Sequence, residues 1–211
     1  MRMLFQMPAR SGRRRLPALA FAPKWASHRE LESFGRNSDD GTTCPLTKAP
    51  MSNMADPNQA LISFQEALAA GGLRLERGRI DPTVYLHVDH LQGKPRFPYV
   101  QMDGKTVTAF ANFVPNGTFE GHANLAVGYA VPERYRNQGR AKAILATGIA
   151  ELQNGFRGHP PFYIEAVVSV NNPASQNVAQ EVLGGEPEPI VDNHSDEPAL
   201  RYAKPVSYTH L

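Results

Sequence analysis

The chain predicts an α/β fold, a mixed and mostly antiparallel sheet flanked by helices. Three observations carry this. Strand-like runs follow one another between residues 83 and 131, and two of them meet at Asp103-Gly104, a dipeptide that favours a tight hairpin. From about residue 139 onward helix and strand patterns alternate. Phe162 to Val170 is apolar at nearly every position, the pattern of a central strand covered on both faces.

The elements follow in order. Asp56-Pro57 starts a helix, with Asp as N-cap and Pro at the first helical position. Leu61, Phe64 and Leu68 recur at helical spacing, and Gly71-Gly72 stops the run. Strands are expected at 83–88, 97–102, 105–114 and 125–131. Ile144, Leu145, Gly148, Ile149 and Leu152 form one stripe of a helix over about 139–154. After the strand at 162–170, Pro173 opens a helix whose inner face is Ala174, Val178 and Val182. Gly184-Gly185 ends it, and a last strand falls near 199–203. Tyr85, Phe97, Tyr99, Phe110 and Phe113 sit at strand spacing and read as core, with some of them free to line a pocket.

A length of 211 residues allows one domain with material left over, and no apolar run is long enough to cross a membrane. The single cysteine, Cys44, excludes a disulfide framework and a cysteine-rich zinc site, so nothing requires an oxidising compartment and a cytoplasmic location is expected. The net charge of +2 divides unevenly: residues 1–53 carry nine Lys/Arg against four Asp/Glu, and the rest carry thirteen against sixteen. The basic balance therefore belongs to the N-terminal segment, and neither nucleic acid nor a membrane is an expected partner.

Two ends stand apart from the expected domain at 54–205. Residues 1–53 hold Arg13-Arg14-Arg15, scattered Pro, Gly and Ser, and no acidic residue before Glu30. They read either as an organelle transit peptide or as translated sequence upstream of a start at Met51 or Met54, and disorder is expected either way. Val206-Ser207-Tyr208-Thr209-His210-Leu211 resembles the translation of a transposon end used in sequencing adapters, which makes 206–211 a candidate non-native tail.

The chemistry concentrates in one run. Gly128-Tyr129-Ala130-Val131 is an apolar strand that feeds a basic, glycine-pivoted turn, Arg136-Asn137-Gln138-Gly139-Arg140-Ala141, and a helix follows at once. Such a turn presents bare backbone N–H groups at a helix N-terminus, which is where phosphate binds. About thirty residues later a second strand leads into Asn172-Pro173-Ala174-Ser175. The order and spacing point to a ligand with a pyrophosphate.

Arg136-x-x-Gly139-x-Ala141, with Gly128-Tyr129 before it and Asn172-x-x-Ser175 after it, resembles the signature of the GCN5-related N-acetyltransferases over roughly residues 80–185. The resemblance implies a mixed sheet flanked by helices, acetyl-CoA as co-substrate, and acetyl transfer to a primary amine by direct attack in a ternary complex. It implies pyrophosphate contacts from Asn137, Gln138, Gly139, Arg140, Ala141 and Lys142, with positive charge from Arg136, Arg140 and Lys142. It also implies backbone pairing of the pantetheine arm with Tyr129, Ala130 and Val131. The acceptor would be a small-molecule amine or a peptide N-terminus, and a homodimer stays open. A protein N-terminal acetyltransferase and a non-catalytic acetyl-CoA-binding module are the other readings.

The remaining roles have two readings each. Asn172 is an N-cap ahead of Pro173, and in the resembling family the same residue reaches the CoA arm. Many relatives protonate the leaving thiolate with a tyrosine on the helix after Asn172. No tyrosine stands between Tyr163 and Tyr202, so Ser175 is the available substitute, or simply a helix-start residue. Glu165 lies within the central strand, where a carboxylate is costly unless paired or functional. It reads as general base or holder of a base water, or as the partner of a buried arginine. Glu120 and His122 are the alternative bases. The acidic residue that many relatives carry in the 125–131 strand is missing, with Ala126 and Gly128 on that side. His87, Asp89 and His90 lack a third clear metal ligand and read as a solvated strand end, so no metal is expected. Asn116-Gly117-Thr118 fits a glycosylation sequon, without a signal peptide to support secretion.

Overall fold

The computed structural model describes residues 56–207 apart from Gln92. The expectations for residues 1–53 and for 208–211 lie outside the described residues. Helix α1 spans Pro57–Ala69, capped by the Asp56 carboxylate, which accepts from the Asn58 N–H. Such a cap is worth about 1 kcal/mol. The strands are β1 Glu76–Arg77, β2 Val84–Leu86, β3 Asp89–Leu91, β4 Lys94–Asp103, β5 Thr106–Phe119, β6 His122–Ala130, β7 Phe162–Ser169, β8 Glu188–Val191 and β9 Pro198–Val206. Helix α2, Arg140–Gly155, connects β6 to β7, and helix α3, Pro173–Val182, follows β7.

These strands form a nine-stranded sheet in the order β1-β2-β4-β5-β6-β7-β9-β8, with β3 paired to β4. Every pairing is antiparallel except β6 with β7. The parallel pair follows from its connection, since a helix returning across one face brings the next strand in alongside in the same direction. The architecture is therefore a mixed, mostly antiparallel α/β sheet, as the pattern of residues predicts.

Alternation along the strands sorts the core into two layers. Phe97, Tyr99, Phe113, Leu125, Val127, Ile164 and Ala166 face α2 and α3. Val100, Val107, Phe110 and Ala130 face Leu61 and Phe64 of α1. The rings read as core hold that role: Phe97, Tyr99, Phe110 and Phe113 are buried, whereas Tyr85 is half-buried under the Arg77 guanidinium. Gly148 lets α2 pack closely on the sheet, because a Cβ there would stand 2.7 Å from Phe113 Cε2. Buried Glu151, on the same helix, accepts from the Ile80 N–H at 2.7 Å and the Asp81 N–H at 3.1 Å, and so pins the 78–81 turn against the helix. Its charge, after burial itself, holds the Tyr99 phenol above its ordinary range.

The structure corrects several boundaries. The strand expected at 83–88 is only Val84–Leu86, because the Asp81 carboxylate binds Thr83 in a turn and His87 bonds to the Arg74 carbonyl. Helix α3 buries Ala179, with Leu183 just beyond it, and packs Val178 and Val182 against them. Ala174 is exposed, since the inner face begins one turn later than its spacing suggests. Segments 72–82, 89–96 and 186–198, which show no clear pattern, contain β1, β3 and β8. Val206 belongs to β9, pairs with Phe162 and is buried.

One feature of the sheet positions the site. The β6–β7 ladder runs from Ala123↔Phe162 to Ala126↔Glu165 and stops there. Both strands continue, because each keeps its outer neighbour: β5 holds β6 to Ala130, and β9 holds β7 to Ser169. A gap thus opens between residues 127–130 and 166–169, with backbone hydrogen-bonding groups of β6 turned towards it.

Candidate functional site

The donor turn begins where β6 ends. A 3-10 turn, Glu133–Tyr135, leads to Arg136 in extended conformation. Asn137 and Gly139 then both take left-handed backbone, with φ of 58° and 72°. Gly139 is the N-cap of α2 and supplies no side-chain cap, so the first-turn N–H groups have no such acceptor. A Cβ on Gly139 would meet nothing within 4 Å, so glycine is needed for its φ, and the space before these N–H groups is open. Ala141 follows in the first turn.

The basic residues hold the turn in shape. Arg136 Nε donates to the Val131 carbonyl at 3.2 Å. Arg140 Nη1 donates to Thr108 Oγ1 of β5 at 2.9 Å, and its Nε to Gln138 Oε1 at 3.2 Å. The guanidinium groups of Arg134 and Arg140 both lie against the Tyr135 ring, 4.6 and 5.0 Å from its centroid. Gln138 Nε2 closes the turn on the Arg134 carbonyl at 3.3 Å. Lys142 is ion-paired with Glu181 of α3.

Across the gap, Asn172 caps α3: its Oδ1 accepts from the Ser175 N–H at 3.0 Å. Gln176 Nε2 donates to the Ser169 and Val170 carbonyls, each at 3.0 Å, and seals the end of β7 onto this helix. The Tyr129 hydroxyl donates to the Ser175 carbonyl at 2.8 Å. Tyr129 therefore joins the strand before the donor turn to the first turn of α3, over the gap. Burial pushes its phenol up to about 12. The pattern of residues points only to the backbone of Tyr129; its side chain supplies the tie between the two halves.

Glu165 faces the other side of the sheet, beside Ala126. It is 7% exposed and accepts from the side-chain amide of Asn124, and from Asn116 Nδ2 at 3.5 Å. No arginine pairs with it among the described residues, so the expected structural partner is replaced by two amides. Ser175 and Glu165 thus stand on opposite faces of the sheet at the gap. Glu120 and His122 lie at the far end of β6, His122 four residues before Ala126, or about 14 Å along the strand. Glu120 accepts from the Tyr163 hydroxyl, which keeps that phenol above its ordinary range, and its carbonyl bonds to His122 Nδ1 at 3.0 Å.

Elsewhere, Asp89 is ion-paired with Arg96, and His87 Nδ1 lies 2.9 Å from the Arg74 carbonyl. No group of three metal-ligating side chains occurs among the described residues, and no described helix is long and apolar enough to cross a membrane. A cavity of about 330 Å³ between Ile149, Gln153, Val182, Lys204 and Val206 lies at the opposite end of α2 from the donor turn.

Fold and site together define an α/β protein with a basic, glycine-pivoted turn at a helix N-terminus beside a split parallel strand pair. No protein-family model and no curated protein matches the chain. Among solved structures it is similar to a GNAT-family acetyltransferase from Streptococcus pneumoniae, with 13% identity, 53% of this chain and 67% of that one covered, and a TM-score of 0.42. It is also similar to the ribosomal-protein-S18-alanine N-acetyltransferase from Escherichia coli, at 25% identity over 55% of this chain and 72% of that one, TM-score 0.40. A third is a ribosomal L7/L12 alpha-N-protein acetyltransferase in complex with coenzyme A, at 20% identity over 54% and 63%, TM-score 0.40.

Proposed function

We propose that the protein is a GCN5-related N-acetyltransferase that transfers acetyl from acetyl-CoA to a primary amine. The observation that carries this reading is the junction of β6, the left-handed Asn137 and Gly139, and the uncapped N-terminus of α2, placed beside the gap between β6 and β7. The residues fit the ligand. Convergent N–H groups over 137–142 and a helix N-terminus suit a pyrophosphate, and the open space at Gly139 lets its oxygens approach. Arg136 and Arg140 add charge, while Lys142 shares its own with Glu181. The backbone of Tyr129, Ala130 and Val131 faces the gap and offers a strand edge to the amide-bearing arm.

Acetyl-CoA supplies an activated acetyl group as a thioester. The chain's residues divide the remaining work by sheet face. Glu165, with Asn116 and Asn124 bonded to it, takes a proton from the amine directly or through water. Backbone N–H near Val131 polarises the carbonyl. Ser175 and the Tyr129 hydroxyl stand on the leaving-group side. Calorimetry with acetyl-CoA, followed by thiol release with small amines and unblocked peptides, tests the reading. Micromolar binding with turnover on an amine is expected. Binding without turnover on any acceptor would make it an acetyl-CoA-binding module instead.

A further inference from the structure

Thr108 stands where the alternation of β5 breaks. Val107 and Phe110 both face α1, while Ala109 and Ala111 face the α2 side. Two residues three apart cannot share a face of a regular strand, so one residue between them is extra. The register names it: Met102 pairs with Val107 and Gln101 with Ala109, which leaves Thr108 unopposed. A bulge of this kind re-aims a side chain. Thr108 is 0% exposed and donates its hydroxyl proton to the Gln101 carbonyl at 3.1 Å. With that proton committed, its oxygen has only lone pairs to offer any other partner. Arg140 Nη1 takes up that offer and donates to it at 2.9 Å, from 32 residues further along the chain.

Arg140 is the first residue of α2, and helix side chains lean towards the N-terminus. Its guanidinium accordingly lies back over the turn, 5.0 Å from the centre of the Tyr135 ring, with Nε on Gln138 Oε1. Thr108, Gln138 and Tyr135 together fix the plane of the group. All three are uncharged, and no carboxylate pairs with Arg140 among the described residues. Two of its five N–H groups are spent, so three remain, with the full charge. Arg134 lies over the same ring at 4.6 Å, also without a carboxylate partner among the described residues. Two like charges on one ring repel, and a polyanion relieves that repulsion. An aspartate at 108 would hold the guanidinium equally well but cancel its charge; a threonine orients it and leaves the charge in place. We propose that Thr108 is a positioning residue for the basic turn, whose bulge sets Arg140 beside the α2 N-terminus as an oriented, uncompensated cation for a pyrophosphate. This deepens, and rests on, the reading of that turn as the pyrophosphate site. Thr108 is buried and acts only through Arg140, by ordering a long side chain before the ligand arrives.

The test uses the full chain, with inorganic pyrophosphate and acetyl-CoA as probes and calorimetry as the readout. Thr108→Val keeps the branched shape and removes the accepting oxygen. It should weaken both ligands about tenfold or more, the effect of one hydrogen bond to a charged group. Thr108→Ser keeps the oxygen and should restore affinity to within a factor of about two. Thr108→Val added to Arg140→Met should weaken binding no further, because the threonine acts through the arginine. A threonine that merely stabilised the strand would lower affinity alike with and without Arg140. If Thr108→Val fails to fold, Arg140→Lys decides: it keeps the charge, gives up the planar fork, and should weaken pyrophosphate about tenfold. The proposal is overturned if Thr108→Val leaves both Kd values unchanged, if its effect persists in full without Arg140, or if Arg140→Lys binds like the wild type. Acetyl-CoA binding that Thr108→Val does not alter sinks the positioning role alone. Pyrophosphate binding that Thr108→Val weakens, in a wild type that does not bind acetyl-CoA, supports the positioning role and sinks the acetyltransferase reading. A wild type that binds neither ligand sinks both.

Discussion

The two faces of the sheet at the β6–β7 gap are built on opposite principles. One end of the gap meets a turn made of backbone donors, two left-handed residues and arginines packed on a tyrosine ring. The Glu165 face carries side-chain acceptors drawn from three strands. The first is assembled from groups that are consecutive in the chain. The second is assembled from groups that only sheet pairing brings together. The contrast suits the proposed acetyl transfer, in which two substrates must approach the same point without competing.

The largest effect should come from breaking the acceptor face. Glu165→Gln keeps the shape and removes the proposed base, and should lower kcat by about 10²–10³ while leaving acetyl-CoA affinity within a factor of about two. Steady-state thiol release and calorimetry read the two quantities separately. A parallel loss of acetyl-CoA binding would show that the faces are not independent.

Next comes the donor face. Gly139→Glu forces a side chain into left-handed backbone and sets an anion before the helix N-terminus. Acetyl-CoA KM should rise about 100-fold or more, with the circular-dichroism spectrum unchanged. Unaltered binding would remove the pyrophosphate assignment.

The tie across the gap is tested by pH. Burial holds the Tyr129 phenol at about 12, against 10.0 for the unperturbed group. The raised value means that the folded protein keeps a proton the unfolded chain has lost. This stabilisation is complete below about pH 10 and is lost as pH rises from about 10 to about 12. Tyr129→Phe should therefore flatten the fall in stability across that window by about 2 kcal/mol, read from urea melts at stepped pH. An unchanged pH profile would place that phenol in solvent.

The smallest effect separates the two roles of Asn172. Asn172→Ala removes the cap of α3 and should cost about 1 kcal/mol, a fall in Tm of about 2–4 °C for a chain of this size. If acetyl-CoA affinity is unchanged beside that fall, Asn172 is a cap alone.

Much of the donor side is legible in the residues because its chemistry is local. Gly139 needs no partner to adopt positive φ, and Asn172-Pro173 caps its own helix through an atom three residues away. Strand and helix positions are equally local, since alternation and helical spacing show in short windows. Where the reading of α3 slipped, at Ala174, the missing information was which face of the helix the sheet would take.

The acceptor side depends on distance in the chain. Asn124 and Glu165 meet from positions 41 residues apart, and Asn116 reaches Glu165 across 49. Asn124 carried a local signal, a polar residue inside an apolar strand, but no window could say what it faced. The tie of Tyr129 to Ser175 spans 46 residues and is as silent in the sequence. What the sequence determined by itself was therefore the three helices, six of the nine strands and the glycine-pivoted turn, because backbone conformation and periodicity are properties of neighbouring residues. Only the tertiary structure decided that β6 and β7 part after Ala126, that Glu165 is held by amides rather than an arginine, and that Tyr129 closes over the gap. Those are matters of register and of which face each strand presents, and they follow from packing the whole sheet at once.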